Sequence, residues 1–361
     1  MSDAPHVITF DTLTEHYQPI VGGKCASLGT MSQAGLPVPP GFAVTTAVFA
    51  HARDLSETQQ EINDLLADTD VDDSAALAAA AAKCRDIVTG WPLAPDSEQL
   101  IRDEYAALSA YCGVEDLPVA VRSSATAEDS PDASFAGEHD TYLWVRGADE
   151  VIDKIKSCWA SMYTDRAIAY REEMGYEHYN VDMAVAVQKM VRPRSAGVAF
   201  TLDPTNGDRS GICIDSAWGF GEGVVSGAVT PDNFLVDKVM WCVNRRTISP
   251  KAQAYQLHDD AVSLVDLDEE TANAPSLTDE EIIAIAKLAR TAEKHYGCPQ
   301  DIEWAVDDDL PAGEDVVLLQ ARPETVWSKK SHEVKAESDL MSSIVSTLVN
   351  PLYAKRGGTE S

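Results

Sequence analysis

The spacing of apolar residues predicts helices in three parts of the chain. Between residues 54 and 115, apolar positions recur every three to four residues in segments such as SAALAAAAAKCRDIV and EQLIRDEYAALSAY. The same spacing predicts a helix over about 149–173, with an apolar stripe formed by Val151, Ile155, Trp159 and Met162. A further helix over 278–296 begins at Thr278, a residue type that caps helix N-termini, and acidic residues follow it.

Short β-rich runs predict strands in the rest of the chain. Two of them, LPVAVRSSA and TYLWVRG, flank a polar loop, and many more follow residue 183, from MAVAVQKMV to IEWAV and VVLLQAR. No internal repeat is present. The pattern predicts an α+β body in two lobes, roughly 1–185 and 186–328. A tail over 329–361 contains a short amphipathic stretch that predicts a helix.

The net charge of −31 changes this picture of an ordinary globular protein. Acidic residues outnumber basic ones by 59 to 28 and are spread along the whole chain. Self-repulsion of this size destabilises a compact state at low salt, and salt screens it. We therefore expect a halophile-like surface suited to a salt-rich cytoplasm. Nucleic acid is excluded as a partner on the same grounds, because its phosphates would be repelled.

Other features of the composition indicate a cytoplasmic protein. No apolar run approaches the ~20 residues that a membrane-spanning helix needs, and the N-terminus does not read as a signal peptide. Seven cysteines are scattered singly, with no C-x-x-C pair, which favours a reducing compartment. We expect no membrane partner.

The first motif with a possible role in ligand binding is VGGKCASLG, which contains Gly22, Gly23 and Lys24. Glycines let a backbone approach a ligand closely, and a neighbouring ammonium group can contact phosphate oxygens. The motif is not a Walker A loop, which has a different spacing. The alternative interpretation is a plain turn before a helix.

The second motif, VRSSA, places Arg122 at the end of a predicted strand. A guanidinium group can bind two phosphate oxygens at once. Alternatively, Arg122 pairs with Glu128 or Asp129 in a solvated loop.

The third motif is the glycine-rich segment Gly219–Gly227. Its glycines make a regular element improbable, and the β-α-β context of a Rossmann fingerprint is absent. A structural glycine loop is the alternative interpretation.

The fourth motif lies on two predicted strands, DIEW and LLQARPE. Side chains alternate along a strand, so Asp301 and Glu303 share one face, and so do Gln320 and Arg322. Two carboxylates, an amide oxygen and a guanidinium group suit a site for Mg²⁺ and a polyphosphate. The alternative is an alternating polar face that only meets solvent.

Taken in order, these motifs resemble the nucleotide-binding module of the phosphoenolpyruvate synthase (pyruvate, water dikinase) and pyruvate phosphate dikinase family. The resemblance covers about residues 8–328 and also includes GLPVPPGFAVT and TDRAIAYR. It implies an ATP-grasp fold, in which two lobes clamp ATP and Mg²⁺. It also implies an ATP-dependent phosphotransferase.

The resemblance further implies roles for individual residues. Lys24 and Arg122 match residues that bind phosphate, and Arg322 matches the arginine that stabilises the transferring group; these three form the expected catalytic set. Glu303 and Gln320 match metal ligands. The remaining expected nucleotide-binding residues are Thr141, Gln188, Gly219, Gly221, Glu222, Gly223 and Asp301, and the glycine segment matches a flexible element over the phosphates.

This sequence departs from the family pattern at a few positions. Cys25 replaces a usual Asn, and Glu138 with His139 replaces a common Gln pair. A carboxylate at Glu138 would weaken nucleotide binding if it lay near the phosphates. An acidic insertion, DDDLPAGED, is expected to lengthen a hairpin between Glu303 and Gln320.

Members of this family phosphorylate a histidine in a Gly-Gly-x-Thr-x-His setting, and none of the eight histidines here has that setting. The tail is also too short to form the family's further domains. We therefore expect a separate phosphohistidine protein as the partner in a split enzyme. The alternatives are a direct small-molecule kinase and a non-catalytic ATP-binding regulatory subunit; retention of every charged group at the metal end favours catalysis over the latter.

Overall fold

The computed structural model describes residues 4–126, 141–175, 182–258 and 260–327, together with the backbone of two short strands between the first two ranges. The strands are β1 (Val7–Thr9), β2 (Gly41–Val44), β3 (Val119–Ala125), β4 (Asp129–Ser130), β5 (Ala133–Ser134), β6 (Thr141–Val145), β7 (Met183–Lys189), β8 (Pro193–Phe200), β9 (Gly211–Trp218), β10 (Asp232–Asp237), β11 (Val243–Thr247), β12 (Gln253–His258), β13 (Ala261–Asp266), β14 (Gln300–Asp307) and β15 (Val316–Pro323). The predicted tail and the positions of Glu138 and His139 lie outside the described residues.

The helices are α1 (Gln18–Gln33), α2 (Thr46–Ser56), α3 (Gln59–Ala67), α4 (Ser74–Thr89), α5 (Pro95–Cys112), α6 (Ala148–Ala160), α7 (Asp165–Glu173), α8 (Glu222–Val225), α9 (Glu269–Asn273) and α10 (Asp279–Tyr296). They include a consecutive run, α2 to α5, between β2 and β3, and such runs are typical of an α+β chain. Within the described ranges, no helix has the length and apolar character needed to cross a bilayer.

Two antiparallel sheets organise the fold and confirm the predicted α+β class. The first has five strands in the order β1-β2-β7-β3-β6, and the second has six in the order β11-β10-β9-β8-β14-β15. The change of sheet falls between Lys189 and Pro193, just after the lobe boundary predicted from the sequence. The assignment of residues 1–185 and 186–328 to two lobes stays a prediction.

Each sheet has its own apolar core. The first core packs helices such as α2, α4 and α6 against the five-stranded sheet, with Trp91 and Trp159 fully buried in it. The second core packs α1 and α10 against one face of the six-stranded sheet. On β14 this face carries Ile302, Trp304 and Val306, so the intervening Asp301 and Glu303 are directed to the opposite face.

Local signals at the helix ends confirm one predicted helix and correct another. Helix α10 begins as predicted at Thr278, whose hydroxyl accepts from the Glu281 backbone N–H while the Glu281 carboxylate accepts from the Thr278 N–H. The prediction of a single helix over 149–173 is wrong. It is divided into α6 and α7 because Thr164 adopts an extended backbone and its hydroxyl caps α7 at Ala167.

The acidic segment DDDLPAGED lies at the turn of the hairpin formed by β14 and β15, and its lengthening of that hairpin relative to the family stays a prediction. Strands β14 and β15 pair antiparallel from Gln300 with Pro323 to Val306 with Val316, and most of the insertion forms the connecting loop. This loop therefore lies at the opposite end of the hairpin from Asp301 and Arg322.

The charge of −31 leads to a prediction about stability. Raising potassium chloride from about 0.1 M to about 1 M should increase the free energy of unfolding, because salt screens repulsion among surface carboxylates. Chemical denaturation with urea, a non-ionic denaturant, at each salt concentration measures the effect. A variant with Asp308, Asp309 and Glu314 replaced by amides, all exposed in the hairpin loop, should gain less from salt. Stability independent of salt would contradict the prediction.

Candidate functional site

Helix α1 is kinked at the two-glycine motif. Gly22 has φ 71° and ψ 173°, a backbone conformation outside the helical region. A Cβ atom at this position would lie 2.3 Å from the backbone oxygen of Ser124, so only glycine fits without displacement. The kink places Lys24, which is partly buried, in the first turn of the helical segment that continues to Gln33.

Strand β3 holds this kink and also carries Arg122. The Ser124 hydroxyl accepts a hydrogen bond from the Cys25 N–H at 3.1 Å and donates one to the Val21 carbonyl at 2.7 Å. Arg122 precedes Ser124 by two residues and therefore shares its face of the strand. Its Nη1 donates to the Leu319 carbonyl at 3.3 Å, whereas its Nε is buried without a hydrogen-bond partner.

The acceptor of the Arg122 hydrogen bond lies in a β-bulge. Glu303 pairs with Gln320, but the next pair along is Trp304 with Leu318, so Leu319 is the extra residue of β15. The carbonyl of Leu319 is thereby available to a partner from the other sheet. This contact joins the two sheets beside the fourth sequence motif.

The four polar residues of the fourth motif lie together, as predicted. Asp301 pairs across the strands with Arg322, and Glu303 pairs with Gln320. The Arg322 Nε lies 3.6 Å from Asp301 Oδ2, and the Arg322 side chain is half-exposed. All four side chains are directed to the sheet face opposite the apolar core.

The Asp301 carboxyl group is the most perturbed of this set. Burial raises its pKa to about 6, Arg322 acts in the opposite direction, and Glu324 adds to the rise. Its Oδ1 atom is buried without a hydrogen-bond partner. An oxygen of this kind suits a bound cation, which would compensate the cost of desolvation.

Helix α1 also contacts the strand that carries Arg322. The Ser27 hydroxyl donates to the Ala321 carbonyl at 2.6 Å, between Gln320 and Arg322 along β15. Lys24 precedes Ser27 by three residues and so lies on the same side of the helix. The contacts of α1 and β3 with β15 thus place Lys24 and Arg122 near the fourth motif, in the region between the two sheets, here called the cleft.

The metal-binding capacity of this cleft rests on few protein ligands. In the described part of the chain, no group of three or more His, Cys, Asp or Glu side chains could hold a metal ion. Mg²⁺ commonly binds through one or two carboxylates and completes its shell with water and substrate phosphates. Glu303 and Gln320, with the unpartnered oxygen of Asp301, fit that mode of binding.

Two further predicted residues lie on the five-stranded sheet. Thr141 pairs with Arg122 on the neighbouring strand and is exposed. Gln188 is buried near the end of β7, where its Nε2 donates to the Pro39 carbonyl at 3.2 Å. The sheet therefore places Thr141 beside the arginine and Gln188 close to the connection into the second sheet.

The glycine-rich segment lies apart from the other predicted residues. The Gly219 N–H donates to the Arg194 carbonyl and the Phe220 N–H to the Tyr255 carbonyl, which ties the segment to β8 and β12. Neighbouring strands lie about 4.8 Å apart, so β9 and β15, which are three steps apart in the sheet, are separated by about 14 Å. Glu222 and Gly223 begin the short helix α8. The segment thus contacts neither Asp301 nor Arg322.

A cavity of about 330 Å³ lies beside the glycine-rich segment. Its lining includes Arg194, Trp218, Gly219 and Phe220. The lining also includes Asp308 of the hairpin loop, so the cavity lies at the end of the hairpin away from Asp301, where its aromatic and cationic side chains could accept a flat ring or an anion.

Asp215 is a residue that sequence reasoning missed. It pairs with Val198, which pairs in turn with Glu303, so Asp215 lies on the same sheet face two strands away. Burial raises its pKa, and the hydrogen bond from Asn233 Nδ2 at 2.7 Å lowers it. A lone carboxylate in the apolar run GICIDSAW was the signal that could have identified it.

Comparison with known proteins agrees with the sequence resemblance. Residues 18–342 match the family described as pyruvate phosphate dikinase, AMP/ATP-binding domain. The chain is 42% identical over 364 residues to a probable phosphoenolpyruvate synthase of Staphylothermus marinus, covering 93% of this chain and 44% of that protein. It is 44% identical over 342 residues to the phosphoenolpyruvate synthase of Escherichia coli, covering 90% and 43%.

The chain spans less than half the length of these two relatives. Among solved structures, D-alanyl-alanine synthetase A of Vibrio cholerae aligns with 84% of this chain and 55% of its own at 11% identity, but its TM-score of 0.33 is too low to support an argument. The family match covers most of the sequence and includes each of the four motifs. The chain therefore belongs to the pyruvate phosphate dikinase AMP/ATP-binding domain family.

Proposed function

We propose that this chain binds ATP with Mg²⁺ in the cleft between its two sheets and catalyses phosphoryl transfer to a histidine of a separate protein. That protein would pass the phosphoryl group to pyruvate or another small acceptor. The observation that carries the proposal is the pairing of Asp301 with Arg322 and of Glu303 with Gln320 on one sheet face. The two sheets around a shared cleft also support the ATP-grasp arrangement that the family resemblance implies.

Each residue would contribute position or charge rather than covalent chemistry. Lys24 and Arg122 would bind the phosphates, and Arg322 would stabilise the charge that develops on the transferring group. Mg²⁺, when bound by Glu303 and Gln320, would neutralise phosphate charge. In transfer, an imidazole nitrogen of the acceptor forms a P–N bond while the P–O bond to the rest of the nucleotide breaks.

The remaining predicted residues would hold the nucleotide. Asp301 would add a carboxylate close to the metal, and Thr141 and Gln188 would line the pocket. Gly219, Gly221, Glu222 and Gly223 would approach the far part of the ligand from the opposite side of the six-stranded sheet.

The setting of the proposed reaction is a reducing and salt-rich cytoplasm. All seven cysteines lie in the described residues and are free thiols. The charge of −31 disfavours nucleic acid as a ligand. Assays of the protein therefore belong in salt of about 1 M, where its surface charge is screened.

The proposal is tested with ATP labelled at the β or the γ phosphate. Wild-type protein and Mg²⁺ are incubated with each nucleotide, with and without the protein encoded by the neighbouring gene. Label on a histidine of that protein, stable to base and labile to acid, is the expected result. ATP binding without transfer under every pairing would favour a regulatory subunit, whereas label on an added small molecule would favour a direct kinase.

Arg322→Ala should separate binding from transfer. Loss of an arginine that stabilises transition-state charge should slow transfer by about 10³-fold or more and leave ATP affinity within a few-fold. Titration calorimetry measures affinity, and transfer of label measures rate. Arg102→Ala is the matched control, because Arg102 pairs with Glu98 and Asp149 on the surface of the other sheet's helices. Transfer at the wild-type rate by Arg322→Ala would refute the assigned role.

Asp301→Asn should change how folding stability depends on pH in the absence of metal and nucleotide. The Asp301 pKa rises from an ordinary 3.8 to about 6 on folding, so between these values the folded protein holds a proton that the unfolded chain has lost. This group therefore makes stability fall as pH rises through that range. The amide variant should lack this contribution in urea denaturation from about pH 4 to 7. The control variant Asp308→Asn, changed at an exposed site, should keep this pH dependence. The prediction would be contradicted if the free energy of unfolding had the same dependence on pH in the wild type and in both variants.

A further inference from the structure

We infer that Ser124 is a positioning residue for the phosphate site: its hydroxyl fixes the kink of α1 and thereby the location of Lys24. The inference rests on the proposed function, since it treats Lys24 as a phosphate-binding residue. It assigns a purpose to the second serine of VRSSA, which the sequence motif alone leaves without a role.

The first and second sequence motifs meet where Gly22 contacts both the backbone and the side chain of Ser124. Gly22 approaches the Ser124 backbone so tightly that a Cβ atom would lie 2.3 Å from its oxygen and 2.7 Å from its Oγ. The Ser124 Oγ then spans the kink, with Cys25 N on one side and Val21 O on the other. The residues flanking the kink are thus tied to a strand almost 100 positions away in the sequence.

A hydroxyl group suits this position because it donates and accepts at once. The Val21 carbonyl needs a donor, and the Cys25 N–H needs an acceptor, since the kink interrupts the helical ladder. Ser124 is fully buried, so solvent does not replace it in the folded protein. Removing the hydroxyl takes this hydrogen-bond partner from two buried backbone groups, which would favour a different local conformation.

The geometry links this local conformation to Lys24. Lys24 lies between Val21 and Cys25, the two residues that the Ser124 hydroxyl contacts, and the second anchor of α1, the Ser27 hydrogen bond to Ala321, follows three residues later. Arg122 is two residues from Ser124 on the same strand face. Strand β3 therefore sets the position of Lys24 relative to Arg122. A change at Ser124 should shift one cation relative to the other.

The test measures binding of ATP and of AMP, each with Mg²⁺, by titration calorimetry. Ser124→Ala should weaken ATP binding about tenfold and AMP binding less than about twofold, because AMP offers fewer phosphate oxygens to a displaced lysine. Ser161→Ala is the matched control. Its hydroxyl is also fully buried and donates to a backbone carbonyl, that of Cys158 at 2.7 Å, within the core of the five-stranded sheet. The Ser161→Ala variant should lose about as much stability as Ser124→Ala and keep wild-type affinity for both nucleotides.

A double-mutant cycle separates positioning from general damage. Lys24→Met removes the ammonium group and keeps an apolar side chain of similar length. In that background Ser124→Ala should cause no further loss of ATP affinity, because the group that it positions is gone. Additive losses, or equal losses for ATP and AMP, would overturn the inference.

Two outcomes keep the inference distinct from the proposed function. Absence of ATP binding by the wild-type protein would refute the proposed function, whereas wild-type affinity in a folded Ser124→Ala would refute only the positioning role. If Ser124→Ala does not fold, Ser124→Cys carries the test, since a thiol is only slightly larger than a hydroxyl and remains a weak donor and acceptor. It should show a smaller loss that is still selective for ATP.

Discussion

The packing of α1 between the two sheets is the constraint on which the candidate site depends. The helix contributes Val21, Leu28 and Met31 to the core of the six-stranded sheet, although it precedes the five-stranded sheet's central strands in the sequence. At its kink it is fixed to β3, and one turn later it is fixed to β15. A helix held on both sides transmits the position of either sheet to Lys24. Lys24 and Arg122, the proposed phosphate-binding groups, consequently have a defined relative position only when both sheets are in place.

The polar groups of the cleft lower the folding stability of the ligand-free protein. Asp301 has an unpartnered buried oxygen and a raised pKa, and the Nε of Arg122 is buried without a hydrogen bond. Such groups reduce stability unless a partner of opposite charge or a suitable acceptor is supplied. A metal and a polyphosphate offer both. The same groups that weaken the free protein would therefore strengthen the complex, which is typical of sites built for charged ligands.

The sequence predicted the parts of this arrangement that follow from local chemistry. Alternation along DIEW placed Asp301 and Glu303 on one face, and the cap at Thr278 located α10. The prediction of one helix over 149–173 was wrong because the apolar stripe from Val151 to Met162 does not reveal that Thr164 caps a second helix. The bulge at Leu319 depends on the exact register of β14 with β15, and the contact of Gly22 with Ser124 joins segments about 100 residues apart. Neither can be read from a local pattern. The location of the glycine-rich segment was likewise inaccessible, since it is set by sheet order.

The bulge at Leu319 has a consequence for how this hairpin can change during evolution. It lies between the acidic loop and the residues that face the cleft, and the pairs on its cleft side are Glu303 with Gln320 and Asp301 with Arg322. Residues added to the loop extend the distal end, while the bulge and the Arg122 contact hold the proximal register. The hairpin is thus divided into a segment that tolerates changes of length and a segment whose spacing is fixed. Acidic residues can therefore accumulate in the first segment without altering the spacing of the second.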